Sequence, residues 1–79
     1  MGSTRIPKYN VIREERFLPD AGNYVGFGLE ALASDTGERL HVIRDISPVF
    51  EFVASLAELF NRLGLELVHF SDAVEDALV

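Results

Sequence analysis

Ser47-Pro48 opens the longest apolar run of this chain, and Gly64 closes it. Between them Val49, Val53, Leu56, Phe60 and Leu63 recur at spacings of four, three, four and three, the seam of an amphipathic helix. Phe50, Phe52, Ala57 and Leu59 widen that seam until most of the helix circumference is apolar. Ser47 suits the N-cap, where its hydroxyl can accept an unpaired backbone N–H, and Pro48 suits the first helical position, where a missing N–H loses no bond. Glu51 near the start and Arg62 in the last turn complement the helix dipole. Gly64 suits the left-handed residue that ends many helices. The pattern predicts a helix over 48–63 that needs cover on more than one side.

Little chain is available to supply it. Seventy-nine residues make one domain close to the size at which a hydrophobic core is barely sufficient. There are no cysteines, so neither disulfides nor thiolate metal sites can staple the fold, a usage that fits a reducing cytosol. The apolar fraction of 48% is that of a folded protein. With backbone ordering costing roughly 1–2 kcal/mol per residue, burial between two copies of the chain is a natural supplement. Phe50, Phe52, Ala57 and Leu59 are therefore the candidate interaction residues.

Charge narrows the partners. The net charge is −6, unevenly spread: residues 1–19 sum to +2 and the rest to −8, with no basic residue after Gly64. An acidic surface repels phosphate backbones, so nucleic-acid binding is not expected. No stretch approaches the roughly 18 apolar residues of a membrane span, and the first residues lack the layout of a secretory signal. These readings give the expectation of a cytoplasmic protein with no membrane partner.

Ahead of the helix the chain alternates with period two. Residues 1–8 read as a flexible leader and 9–79 as the domain. A first strand runs from Tyr9 to Pro19, but apolar and charged residues mix on both of its faces, which suggests a bulge or an edge position near Glu14-Glu15. Asp20-Ala21-Gly22-Asn23 reads as a turn. A second strand, Tyr24 to Ser34, sets Val25, Phe27, Leu29, Ala31 and Ala33 on one face. Asp35-Thr36-Gly37 is another hairpin turn. A third strand, Glu38 to Ile46, sets Leu40, Val42 and Ile46 against His41 and Ile43. After Gly64 an extended connector, Leu65 to Phe70, leads to a last short helix from Asp72 to Leu78, with Asp72 and Glu75 spaced as a capping box. The expected fold class is α+β: a three-stranded antiparallel meander whose Val25/Phe27/Leu29/Leu40/Val42 face packs against one long helix, with a short C-terminal helix.

Three strands, a Ser-led helix carrying Asn61-Arg62-Leu63, and then Val68-His69-Phe70-Ser71-Asp72-Ala73-Val74-Glu75-Asp76 give the chain a family look. From about Tyr9 to the end it resembles a family of small bacterial proteins, mostly from Firmicutes, grouped as a domain of unknown function. The resemblance implies a bacterial cytoplasmic protein and brings no catalytic residues with it.

Chemistry is thinly represented. His69 with Asp72, Glu75 and Asp76 is the nearest approach to a site, an imidazole and several carboxylates on neighbouring turns, but the spacing matches no metal motif and the acids serve as caps and surface charge. His41 has no nucleophile beside it. Gly26-Phe27-Gly28 lies inside a strand with no helix start behind it, so it is not a phosphate loop; the two glycines instead bare one sheet face, as a bulge or a binding groove would. No catalytic residue, metal or cofactor is assigned. The leading reading is a non-enzymatic protein-interaction or homodimerisation module; the alternative is a small-molecule-binding protein or minor enzyme using the Gly26/Gly28 face or the His69 acidic cluster.

Overall fold

The computed structural model describes residues 6–79. The leader expected over 1–8 falls mainly on residues 1–5, which lie outside the described residues; Pro7 is already buried. Strand β1 (Lys8–Leu18) pairs antiparallel with β2 (Gly22–Leu32), and β2 with β3 (Arg39–Ser47), in the order β1-β2-β3. Helix α1 (Phe50–Leu63), a single 3-10 turn (Leu67–His69) and helix α2 (Phe70–Leu78) follow. This is the α+β meander with one long and one short helix that the sequence predicts.

The β1–β2 turn is closed by the Ala21 N–H donating to the Leu18 carbonyl at 3.1 Å, with Pro19 setting its second position and Gly22 taking a φ of 80°. In the β2–β3 turn the Gly37 N–H donates to the Ala33 carbonyl at 2.7 Å, and Gly37 has a φ of 76°. The register between β1 and β2 is unbroken from Lys8↔Leu32 to Leu18↔Gly22, so no bulge lies at Glu14-Glu15. β1 is instead an edge strand, the other arrangement that the sequence allows, and its mixed faces have a further cause. Eleven strand residues reach about 36 Å, whereas the fourteen residues of α1 reach about 21 Å. The far half of the β1–β2 hairpin runs past the helix, and there both faces meet water, so charge is tolerated on both. The molecule is accordingly long, 52 × 26 × 17 Å.

On the helix side the sheet presents Tyr9, Val11 and Phe27, with Leu29 and Ala31 wholly buried. The residues expected from β3 are wrong in part. Ile43 pairs with Leu29 and His41 with Ala31, so these two, with Ile46, face the helix, while Val42 pairs with Glu30 on the opposite side and Leu40 stands exposed. The pairing of β3 slips twice: between Ala31/Leu32 one extra β3 residue reverses the faces, and between Phe27/Leu29 two extra residues disturb them only within the bulge.

The helix begins two residues later than Pro48, with Val49 as its capping residue. The Ser47 hydroxyl does accept a backbone N–H, that of Val49 at 3.0 Å, but this forms a local turn before the helix rather than an N-cap. Gly64 ends the helix as expected, at a φ of 64°. Its N–H donates to the Asn61 carbonyl and the Leu65 N–H to the Phe60 carbonyl at 3.0 Å, the two bonds of a Schellman motif. The connector is not extended: its second half is the 3-10 turn, and α2 starts at Phe70. Asp72 therefore lies inside the first turn of α2 and does not cap it; His69 holds the capping position with no side-chain bond.

Tyr9, at the start of β1, joins these pieces. Its ring stands 5.6 Å from Phe60 on α1 and 4.9 Å from Phe70 on α2, and its hydroxyl donates to the Leu65 carbonyl at 2.8 Å. Its backbone is held as well. The Tyr9 N–H donates to Asn61 Oδ1 at 2.8 Å, and Asn61 Nδ2 donates to the Tyr9 carbonyl at 2.9 Å. The side-chain amide of Asn61 thus replaces a neighbouring strand at this one point of the β1 edge. Phe70 sits above the row Tyr9–Ala31–His41, and its edge-on contact to His41 is 5.7 Å. Ala31 leaves the room that Phe70 fills.

Truncating Asn61 to Ala leaves both groups of the Tyr9 peptide without their partner. We expect Asn61→Ala to lower unfolding free energy by about 1–2 kcal/mol, read from the denaturant midpoint at unchanged m-value; no loss would show that water substitutes freely there. Burial also pushes the Tyr9 hydroxyl above its ordinary pKa of 10.0. The unfolded chain ionises first, so this contribution to stability is whole below the unfolded pKa and is lost as pH rises through the folded one. Alkaline melting curves should show that decline, and Tyr9→Phe should reduce it.

Candidate interaction surface

The sheet face turned away from the helices carries the two glycines that the sequence left bare. Opposite Gly28, strand β3 bulges: Leu29 pairs with Ile43 but Phe27 pairs with Ser47, so β3 spends two extra residues there. Asp45 absorbs the irregularity at a φ of 53°, a conformation that Asp tolerates better than most residues. The displaced backbone lies directly over Gly28. A Cβ on Gly28 would overlap the Ile43 carbonyl oxygen and stand 2.9 Å from Arg44 Cα. A Cβ on Gly26 would overlap the Asp45 carboxylate. The space over both glycines is thus filled by the chain's own bulge and by one side chain, and among the described residues no cavity opens there or elsewhere.

Around the glycines the charges are paired. Asp45 Oδ2 accepts the Tyr24 hydroxyl at 3.0 Å and lies 3.9 Å from Arg16 Nε. Glu14 is held between Arg16, at 3.4 Å, and Arg44. Farther along the same face Arg39 places two nitrogens, at 2.8 and 3.1 Å, on one oxygen of Glu30. The Tyr24 hydroxyl bond, and after it the nearby carboxylates, hold the Arg16 guanidinium above its ordinary pKa. Each arginine of this face faces a carboxylate of its own chain. Pairs this exposed contribute no more than about 1 kcal/mol each; they tie the three strands together and leave no free cation cluster for an anion.

The acidic helix spreads its carboxylates along its exposed side. His69 Nε2 lies 3.9 Å from Glu66, a residue outside the expected set, while Asp72, Glu75 and Asp76 are exposed along α2. Among the described residues no three His, Asp or Glu side chains come together as a metal ion requires.

The four candidate interaction residues divide. Ala57 is buried in the core. Phe52 and Leu59 are half-buried against the cluster that also holds Phe70, Val74, Ala73 and Ala77. Phe50 is 49% exposed and meets Phe27 edge-on at 5.4 Å, where the helix stops and bare sheet begins. The more exposed apolar side chains are others: Phe17, 68% exposed on the projecting hairpin, and Leu63 and Val68, 66% and 77% exposed around the helix end. Sequence periodicity could not single out Phe17, because its exposure follows from the length mismatch between hairpin and helix. No helix among the described residues is long and apolar enough to cross a membrane.

No protein-family model matches the chain, and no curated protein or solved structure is detectably similar to it.

If the glycines are there to admit the bulge, adding a methyl group should cost stability in a fixed order. Gly28 meets backbone, which cannot step aside, so Gly28→Ala should lose about 2–3 kcal/mol. Gly26 meets only a carboxylate that can rotate away, so Gly26→Ala should lose clearly less. Paired urea titrations check the order, and equal losses would contradict the bulge as the reason for both glycines.

Proposed function

We propose that the protein is a non-enzymatic interaction module of the bacterial cytoplasm, acting through association with a second copy of itself. The observation that carries this reading is the large apolar side chains left in water by so small a chain: Phe17, Leu63 and Val68 are each at least two-thirds exposed or close to it. Exposed apolar surface on a small domain favours contact with another protein. The cytoplasmic setting draws support from the cysteine-free composition.

The reading has a direct test. Light scattering across the micromolar to hundred-micromolar range should give a mass that climbs from one chain toward two, as mass action requires. A mass that stays at one chain throughout would refute self-association.

A further inference from the structure

The two outer edges of the sheet are built differently, and the geometry points to β1 as the edge by which two copies join into one continuous six-stranded sheet, with the two-fold axis at Glu14. This rests on the self-association proposed above and specifies a surface that takes in Phe17 and leaves Leu63 and Val68 outside it. The β3 edge is broken by two slips in pairing and by the left-handed Asp45. Bulges of this kind twist an edge away from further strands. The β1 strand has no such break: its register with β2 is regular over eleven residues.

Where the free part of that edge begins and ends follows from named groups. The Tyr9 N–H and carbonyl point outward, since both bond to Asn61 rather than to β2. Backbone direction alternates along an antiparallel strand, so Val11, Arg13, Glu15 and Phe17 point the same way. Among the described residues nothing pairs with them. Asn61 blocks one end at Tyr9, and the turn beginning at Pro19 blocks the other. The open segment therefore runs from Val11 to Phe17, and its midpoint is Glu14.

Antiparallel pairing of two such segments about that midpoint places Val11 opposite Phe17 of the second copy and Arg13 opposite Glu15. Both pairs lie on the helix side of the sheet, the side on which Phe17 is exposed. The first pairs two apolar residues and the second opposite charges, each occurring twice by symmetry. About eight backbone hydrogen bonds would form, two at each outward-pointing pair. The two Glu14 side chains meet on the other side of the sheet, but each already carries Arg16 and Arg44 of its own chain. Arg13 and Glu15 lie 3.6 Å apart within one chain and are mostly exposed, so both remain available to a second copy. Charges on an edge strand commonly repel foreign strands; here the alternation of sign also makes the edge complementary to itself in one register.

The test exploits that register. Arg13→Glu sets Glu against Glu, and Glu15→Arg sets Arg against Arg, at both symmetric positions. Each variant alone should dimerise at least about tenfold more weakly than the wild type, with circular dichroism, and melting temperature at a dilution where every form is a monomer, unchanged. An equimolar mixture of the two variants should recover association, as a heterodimer with opposite charges at every position. A second readout uses the absence of cysteine from the chain: Glu14→Cys should oxidise to a covalent dimer, because residue 14 faces itself across the axis, whereas Asp72→Cys on α2 should not. If the wild type dimerises but both charge variants dimerise equally well, or Glu14→Cys fails to cross-link, the β1 edge is not the interface while self-association stands. If the wild type remains a monomer, self-association fails and this inference with it.

Discussion

The fold hangs on one residue at the start of the first strand. Tyr9 is the place where strand, long helix, connector and short helix are tied together, and the tie is partly polar. Its ring fills the core between Phe60 and Phe70, its hydroxyl satisfies the Leu65 carbonyl beyond the helix end, and its peptide groups are satisfied by Asn61. Burial of apolar surface alone is non-directional and would leave the helix free to slide along the sheet. The paired bonds from Asn61 fix which turn of α1 meets which residue of β1. The Schellman bonds at Gly64 then turn the chain back so that Leu65 stands over the Tyr9 hydroxyl. Docking of α2 depends on that return, because Phe70 completes the cage around the same ring.

A second constraint acts at the opposite end of the sheet. The bulge of β3 over Gly28 lets Ile43 and Ile46, an odd and an even residue, both face the helix. An unbroken strand would have turned one of them outward. The same bulge brings Asp45 over Gly26 and within reach of Tyr24 and Arg16, so one backbone irregularity both completes the core and pins the three strands on the outer face. Glycine at 26 and 28 is a packing requirement set by β3.

This explains what could and could not be read from the residues. The meander, the long helix, its end at Gly64 and the apolar set Phe27, Leu29 and Ala31 follow from local period and turn chemistry, which are written along the chain. The faces of β3 do not. Which of Leu40, Val42, His41 and Ile43 lies inside is decided by slips in pairing with another strand, and the only trace in the sequence is the pair of glycines on that neighbour. Ser47 and Asp72 have the chemistry of caps, yet tertiary packing starts each helix elsewhere: α1 at Phe50 beside Phe27, and α2 at Phe70 within the Tyr9 cage. The acidic cluster was visible as residues but not as a place, since α2 spreads its carboxylates into water. Exposure of Phe17 was hidden for a similar reason, because it reflects a strand longer than the helix that covers it.

Charge supplies the remaining step toward the β1 edge. Two copies of a chain with net charge −6 repel each other at long range, so contact is favoured where the acidic excess is smallest. The two outer strands meet that condition equally, β1 with Lys8, Arg13 and Arg16 against Glu14 and Glu15 and β3 with Arg39 and Arg44 against Asp45, whereas both helices and the connector between them are acidic. Joining at β1, the outer strand whose pairing is unbroken, brings a strand that is not acidic to the centre and sends the two acidic helical ends to opposite extremes of the sheet. Joining instead through the apolar end of α1 around Leu63 and Val68 would press Glu66 and the carboxylates of α2 toward their counterparts. The distribution of net charge favours a sheet edge over the helices, the unbroken pairing and the Arg13–Glu15 alternation favour β1 over β3, and the projecting hairpin supplies the length of strand that such a junction needs.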